Sequence, residues 1–173
     1  MGDFWVFGYG SLMWRPGFAH TDTQRARLFG FRRALCVYSF VHRGTPERPG
    51  LVLGLDRGGS CIGMAFRVTG SLRDEVIGYL RAREQVTGVY LERRLPLRLE
   101  NGEAVEAVAY IADRGHEQYA GALDAAHAAA VVTGAAGMSG PNEAYVLSTI
   151  EHLQALGIRD RWLEDVAGRI TAV

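Results

Sequence analysis

The order of the hydrophobic patterns constrains this chain most. Short β-type runs fill the first two-thirds, one helical stretch interrupts them, and helical patterns follow. Phe4 to Phe7 is aromatic and β-rich, then breaks at Gly8-Tyr9-Gly10-Ser11. That reads as a buried strand entering a tight glycine loop. Ala34 to Val41 has strand character and leads into a turn-rich segment, His42 to Gly50. Leu51 to Leu55 and Cys61 to Val68 are short apolar runs, and Asp56-Arg57-Gly58-Gly59-Ser60 between them reads as a hairpin turn. Leu91 to Leu99 and Ala104 to Ile111 flank Asn101-Gly102, a strong two-residue hairpin signal. Ahead of that pair, Ser71 is placed to cap a helix with Asp74 and Glu75 in its early turns, where the dipole favours acids. Val76, Ile77 and Leu80 form its apolar stripe, and it ends near Glu84, before Thr87-Gly88. Later helices are predicted from Ala122 to Val132, from Ser139-Gly140-Pro141 to Leu156, and from Asp160 to Val166. Strands first and helices later predicts an α+β fold, with a mostly antiparallel sheet or barrel and helices packed on it.

No repeat, low-complexity tract or linker divides the 173 residues, so a single domain over 1–173 is expected. With 48% hydrophobic and 22% charged residues the chain is not a disordered one. Nineteen basic residues balance nineteen acidic ones, which argues against nucleic acid as a partner. All of those basic residues are arginines. Without lysine there is no Schiff base, no lysine general base and no P-loop lysine. Cys36 and Cys61 form no CxxC or zinc spacing and suit a reducing compartment. The start of the chain has no basic leader, and no run approaches 18 apolar residues. The expectations are a cytoplasmic protein with no membrane contact, and a monomer by default.

Few standard catalytic patterns are present. His20, His42, His116, His127 and His152 show neither HxxxH nor HExxH spacing, so no metal is expected. Tyr9 and Met13 occupy the flanking glycine positions that a serine-hydrolase elbow at Ser11 would need. Gly8-Tyr9-Gly10 lacks the third glycine of a dinucleotide fingerprint, although a glycine turn after a strand also suits an anion. Glu84 closes a helix after Arg81 and Arg83, where a carboxylate opposes the dipole. It is either part of a surface Arg–Glu cluster or a general base at a pocket edge. Glu75 lies nine positions earlier, on roughly the opposite face. Arg43, in His42-Arg43-Gly44-Thr45-Pro46, sits in an exposed loop or clamps a substrate carboxylate. Gly137 to Asn142, followed by Tyr145, caps a helix or contributes to a site.

Taken together these segments resemble the ChaC family of γ-glutamylcyclotransferases. Trp5 to Trp14 is similar to its opening strand and loop. Arg33 to Gly50, Cys61 to Arg67, Tyr79 to Tyr90 and Gly137 to Leu147 resemble its later blocks, in the family order. The resemblance implies a small, mostly antiparallel β-barrel flanked by helices, and a cofactor-free and metal-free reaction. In it the α-amine of a γ-glutamyl compound attacks its own γ-carbonyl, and glutathione yields 5-oxoproline and Cys-Gly. It makes Glu84 the catalytic base. It places Tyr9, Gly10, Ser11 and Leu12 around the substrate, with backbone donors for its carboxylate or oxyanion, and Tyr90 beside Glu84. By motif position it adds Arg43, Asn142 and Tyr145 as substrate contacts, and leaves Glu75 structural or at the substrate. Cyclisation of other γ-glutamyl amines or peptides is the near alternative. A non-catalytic regulatory protein linked to cation transport is the distant one.

Overall fold

β1 (Phe4–Gly8) carries Phe4, Val6 and Phe7 into the core, and its backbone finds partners on both sides. The structure, a computed structural model, describes residues 2–171. Four more strands, β2 (Asp22–Ser39), β3 (Gly50–Val68), β4 (Tyr90–Leu99) and β5 (Ala104–Ala112), close with β1 into a barrel of order β1-β3-β2-β4-β5. β1 pairs antiparallel with β3, from Phe4↔Val68 to Gly8↔Met64. β4 and β5 form the predicted hairpin around Asn101-Gly102, with Gly102 at φ 90°. β2 meets β4 through Ala26↔Leu99 to Leu28↔Leu97. The closing seam, Trp5↔Ala107 and Val6↔Val108, is parallel. The fold is therefore α+β, a mixed and mostly antiparallel barrel with helices.

The chain divides into two compact units, each assembled from two stretches of sequence. The first is Met1–Arg33 with Leu55–Asp113, and the second is Ala34–Gly54 with Arg114–Val173. The boundaries fall within β2, within β3 and just after β5.

In the first unit, α1 (Arg73–Glu84) turns Val76 and Leu80 into a cluster with Phe4, Val6, Leu12, Val68, Val108 and Tyr110. Burial of several such side chains, each worth about 1.5–3 kcal/mol, fixes the helix against β1 and β5. Ser71 does not cap it. That residue lies in a short 3₁₀ turn, Gly70–Leu72, and the N-cap position falls to Leu72 with no side-chain cap bond. Two strand predictions also change. β2 begins at Asp22, well before Ala34, because only Ala26 and Leu28 of its first half face inward and the apolar pattern there is thin. β3 runs unbroken through Asp56–Ser60 and makes no hairpin. Gly58 and Gly59 take φ 103° and 63°, so the strand bends where a turn was expected. Asp56 is buried and holds the Arg57 N–H at 2.9 Å, with Arg32 at 3.6 Å.

In the second unit, α2 (Ala125–Val132) starts three residues later than predicted, with Asp124 as its N-cap, whose carboxylate accepts the His127 N–H at 2.8 Å. Its small residues Ala125, Ala128 and Ala129 let it pack on α4 (Arg161–Thr171), which also packs on α3 (Asn142–Ala155). α4 outruns the predicted Val166, because Ala167 and Ile170 continue its buried face. A two-stranded ribbon, β6 (Ala136–Gly137) with β7 (Gly140–Pro141), precedes α3 and puts Pro141 at its N-cap. The far end of β2 pairs with the connection after β5, through Tyr38 N–H to Gln118 O at 2.8 Å and Ala120 N–H to Cys36 O at 2.7 Å. Cys36 and Cys61 are both buried and are not joined in a disulfide.

Candidate active site

The glycine loop after β1 is shaped by close backbone approach. A Cβ on Gly63 would run into the Gly8 carbonyl oxygen, and one on Gly8 would press on Leu12. After Gly10 the chain enters a single 3₁₀ turn, Ser11–Met13, closed by Met13 N–H to Gly10 O at 2.9 Å. Leu12 and Met13 point into the core, while Ser11 stays exposed. Arg33, nearly inaccessible to solvent, holds the loop from beneath. Its Nε donates to Tyr9 O at 2.6 Å and its Nη2 to Ile62 O at 2.7 Å.

The last turn of α1 meets this loop through Arg83. Its Nη1 donates to Arg15 O at 2.6 Å and to the Tyr79 hydroxyl at 3.0 Å, and its Nη2 donates to Ser11 Oγ at 2.8 Å. Tyr79 stands one helical turn earlier, so both side chains leave the same face. At Gly17, φ 74°, a Cβ would strike the Tyr79 hydroxyl. One guanidinium therefore ties the helix end to residues 11–16.

Glu84 lies beside that guanidinium. Its Oε1 is 3.6 Å from Arg83 Nε, too long for a hydrogen bond, and its side chain is 16% exposed. Among the described residues its carboxylate accepts no hydrogen bond. Burial pushes its pKa above the ordinary value, and the Arg83 charge offsets part of the rise. Arg81 does not neutralise it, because that side chain makes a bidentate pair with Glu92, both bonds 2.9 Å. Glu92 also accepts the Tyr110 hydroxyl at 2.9 Å. Arg81 holds the Glu92 carboxyl below its usual range, and burial together with Glu92 pushes Tyr110 up. The alternating charges at the end of α1 are thus sorted. Arg81 binds Glu92, Arg83 binds the loop, and Glu84 is left half-screened with a raised proton affinity.

Of the other predicted residues in this unit, Tyr90 opens β4 and packs on the cluster that contains Leu12, Leu80 and Tyr110. Glu75 is exposed on α1. A cavity of about 290 Å³ lies elsewhere in the unit, against Asp3, Trp5, Arg73 and Arg94, and includes none of the predicted site residues.

The second unit gathers Arg43, Asn142 and Tyr145. Asn142 is fully buried, and its carboxamide pairs with both backbone groups of Leu51. Oδ1 accepts the N–H at 2.8 Å and Nδ2 donates to the carbonyl at 2.9 Å. The Tyr145 hydroxyl accepts the Leu53 N–H at 3.0 Å. Arg43 lies over the Tyr145 ring at 5.5 Å and donates to Pro141 O at 3.2 Å. The glycines of both segments serve backbone contact. A Cβ on Gly44 would meet Gly50 N, and one on Gly137 would meet Val41 O.

Sequence reasoning did not assign the loop-holding roles of Arg33 and Arg83. The Tyr79–Arg83 spacing of four was the visible signal for the second, while the first rests on long-range contacts no spacing reveals. Among the described residues no group of three or more His, Cys, Asp or Glu could hold a metal ion, and no helix is long and apolar enough to cross a membrane.

The family model described as ChaC-like protein matches residues 4–172. An Escherichia coli (strain K12) protein named glutathione-specific γ-glutamylcyclotransferase is 36% identical, over 95% of this chain and 71% of its own. A Danio rerio protein, glutathione-specific γ-glutamylcyclotransferase 1, is 36% identical over 87% of this chain and 79% of its own. In fold, the chain is similar to a crystal structure described as a γ-glutamyl cyclotransferase specific to glutathione from yeast. The TM-score is 0.86 at 22% identity, covering 99% of this chain and 97% of the other. With the family model spanning nearly every residue, this chain belongs to the ChaC-like family.

Proposed function

We propose that this chain is a γ-glutamylcyclotransferase acting on glutathione, with Glu84 as its general base. The observation that carries the assignment is Glu84 itself, a largely buried carboxylate without a hydrogen-bonded counter-ion, joined to the glycine loop through Arg83. The relatives' names supply the substrate class.

The reaction is intramolecular, so nucleophile and electrophile both belong to the substrate and the chemistry calls for neither metal nor cofactor. The protein has to fold a flexible γ-glutamyl chain so that its α-amine faces its γ-carbonyl. Orientation of that kind is worth about 7–11 kcal/mol. Ionised Glu84 accepts a proton from the amine as it attacks and returns it to the departing nitrogen, for a contribution of about 10²–10⁴-fold. A raised pKa suits both halves, because the acid formed midway must also give its proton up. Backbone N–H groups of the Tyr9–Leu12 loop face the glutamyl carboxylate, and Tyr90 borders the base.

In the second unit, Asn142 and Tyr145 are positioning residues that hold the backbone of Leu51 and Leu53, and Arg43 keeps N–H donors for a carboxylate. The same reading keeps the protein monomeric and cytoplasmic, supported by two cysteines not joined in a disulfide and a balanced charge. The test is mass spectrometry of glutathione incubated with purified protein, with Glu84→Gln run beside it. The expected result is 5-oxoproline and Cys-Gly in equal amounts, lost in the variant. Turnover retained in Glu84→Gln removes Glu84 as base. Turnover of other γ-glutamyl amines but not of glutathione keeps the reaction and changes the substrate.

A further inference from the structure

Ser11 stands at the exposed tip of the glycine loop, and its Oγ accepts a hydrogen bond from Arg83 Nη2 at 2.8 Å. Among the described residues nothing accepts the hydroxyl proton of Ser11 in return. A hydroxyl that accepts from a cation is polarised toward donation, because electron density is drawn out of its O–H bond. Arg83 is not free to follow a substrate group, since Arg15 O, Pro16 O and the Tyr79 hydroxyl hold its other nitrogen. The same planar group thus holds the Ser11 hydroxyl oxygen and borders the base, 3.6 Å from Glu84.

We propose that, while the loop backbone faces the glutamyl carboxylate, the Ser11 hydroxyl donates to the γ-carbonyl oxygen as it takes up negative charge, and that Arg83 is the positioning residue that aims it. This rests on the cyclotransferase reading above. As the amine nitrogen bonds to the γ-carbon, the carbonyl π pair moves onto oxygen, where Ser11 stabilises it. Collapse re-forms the carbonyl and breaks the bond to the leaving nitrogen, which takes the proton that Glu84 removed. Ser11 keeps its own proton throughout.

The experiment measures kcat and KM for glutathione, or for whichever γ-glutamyl amine is turned over, in Ser11→Ala, Ser11→Thr, Arg83→Gln and the Ser11→Ala/Arg83→Gln pair, with thermal melting of each. A donor to the developing oxyanion is worth about 10²–10³ in kcat, so Ser11→Ala is expected to lose that much with KM little changed. Ser11→Thr, which keeps the hydroxyl, should recover most of it. Arg83→Gln should lower kcat, and the double variant should lose scarcely more than Ser11→Ala, because both changes remove one interaction. A raised KM with kcat intact overturns the proposal, since Ser11 would then grip a ground-state group such as the α-carboxylate. Full additivity in the pair overturns the Arg83 role. Glu84→Gln separates the two readings: retained turnover there fails the base and leaves the Ser11 comparison readable. Absence of turnover on any γ-glutamyl amine fails both.

Discussion

In the barrel unit, the polar groups of the predicted site keep chemistry in reserve. Glu84 has a neighbouring cation but no hydrogen bond, and Ser11 accepts without donating. In the other unit, residues from an equally glycine-rich segment are occupied. Both polar atoms of the Asn142 carboxamide pair with Leu51, and the Tyr145 hydroxyl serves Leu53. Both segments look alike as sequence: glycines, a proline or serine, and a polar residue at the start or end of a helix. The structure separates them by what remains unsatisfied. A buried polar group with all its partners present is scaffolding, and removing it costs stability. One left short of partners is destabilising on its own account, so its presence has to be explained by what it does.

The sharpest way to break this contrast is a double dissociation. Glu84→Gln should lower turnover by about 10²–10⁴-fold, the range of a general base, without lowering the melting temperature. Asn142→Leu should do the reverse. It leaves a buried N–H and a buried C=O of Leu51 without partners, at about 1–3 kcal/mol each. In a chain of this size that is a drop in Tm of about 4–24 °C by calorimetry. Below the transition its kcat should stay within about an order of magnitude of the parent. A stable but inactive Asn142→Leu protein would move Asn142 from the scaffold into the site.

Tyr145→Phe is the milder version. It removes an acceptor of the Leu53 N–H and leaves the ring beneath Arg43, so a loss of about 1–3 kcal/mol is expected in denaturant unfolding. A change in KM larger than the change in stability would show that the hydroxyl reaches the substrate.

What could be read from the sequence follows the same division. β1 and its loop, the span of α1 and the Asn101-Gly102 hairpin all rest on local rules of periodicity and turn chemistry, and those were visible. β2 was not, because Ala26 and Leu28 are its only buried apolar residues before Ala34 and the buried Arg33 beside it is charged. Asp56 made β3 look like a turn, because its carboxylate is satisfied inside the fold, by the Arg57 N–H and by Arg32. Glu84 was legible as an anomaly at a helix end. The division of labour that makes it anomalous was not. Arg81 and Arg83 are equivalent on paper, and only contacts 11 and 72 residues away in sequence send one to Glu92 and the other to Ser11.

The acid limb of the turnover profile sharpens the contrast next. Only ionised Glu84 can accept the amine proton, and burial raises its pKa from the ordinary value of 4.5. Turnover should therefore fall on acidification at a pH above that of an ordinary glutamate, following one ionisation. Arg83→Gln should move this limb further up, since the cation now holds the pKa down. A limb at or below the ordinary glutamate value would place the controlling carboxylate elsewhere.

The smallest expected effect is on stability, and it decides what kind of residue Glu84 is. A carboxyl whose pKa is raised by burial binds its proton more tightly folded than unfolded. Above the raised pKa the folded protein carries a buried charge that the unfolded chain holds in water, so ionisation destabilises the fold. Below the unfolded value of 4.5 both states are protonated, and that cost is gone. Glu84→Gln should therefore melt slightly above the parent at about pH 8, and the margin should close as the pH falls toward about 4. Arg83 keeps the margin small, because its charge repays part of the desolvation. If the variant instead melts below the parent across the whole range, Glu84 is stabilising the helix end as Asn142 stabilises β3. The contrast between a carboxylate kept ready and an amide fully engaged then fails at its central residue.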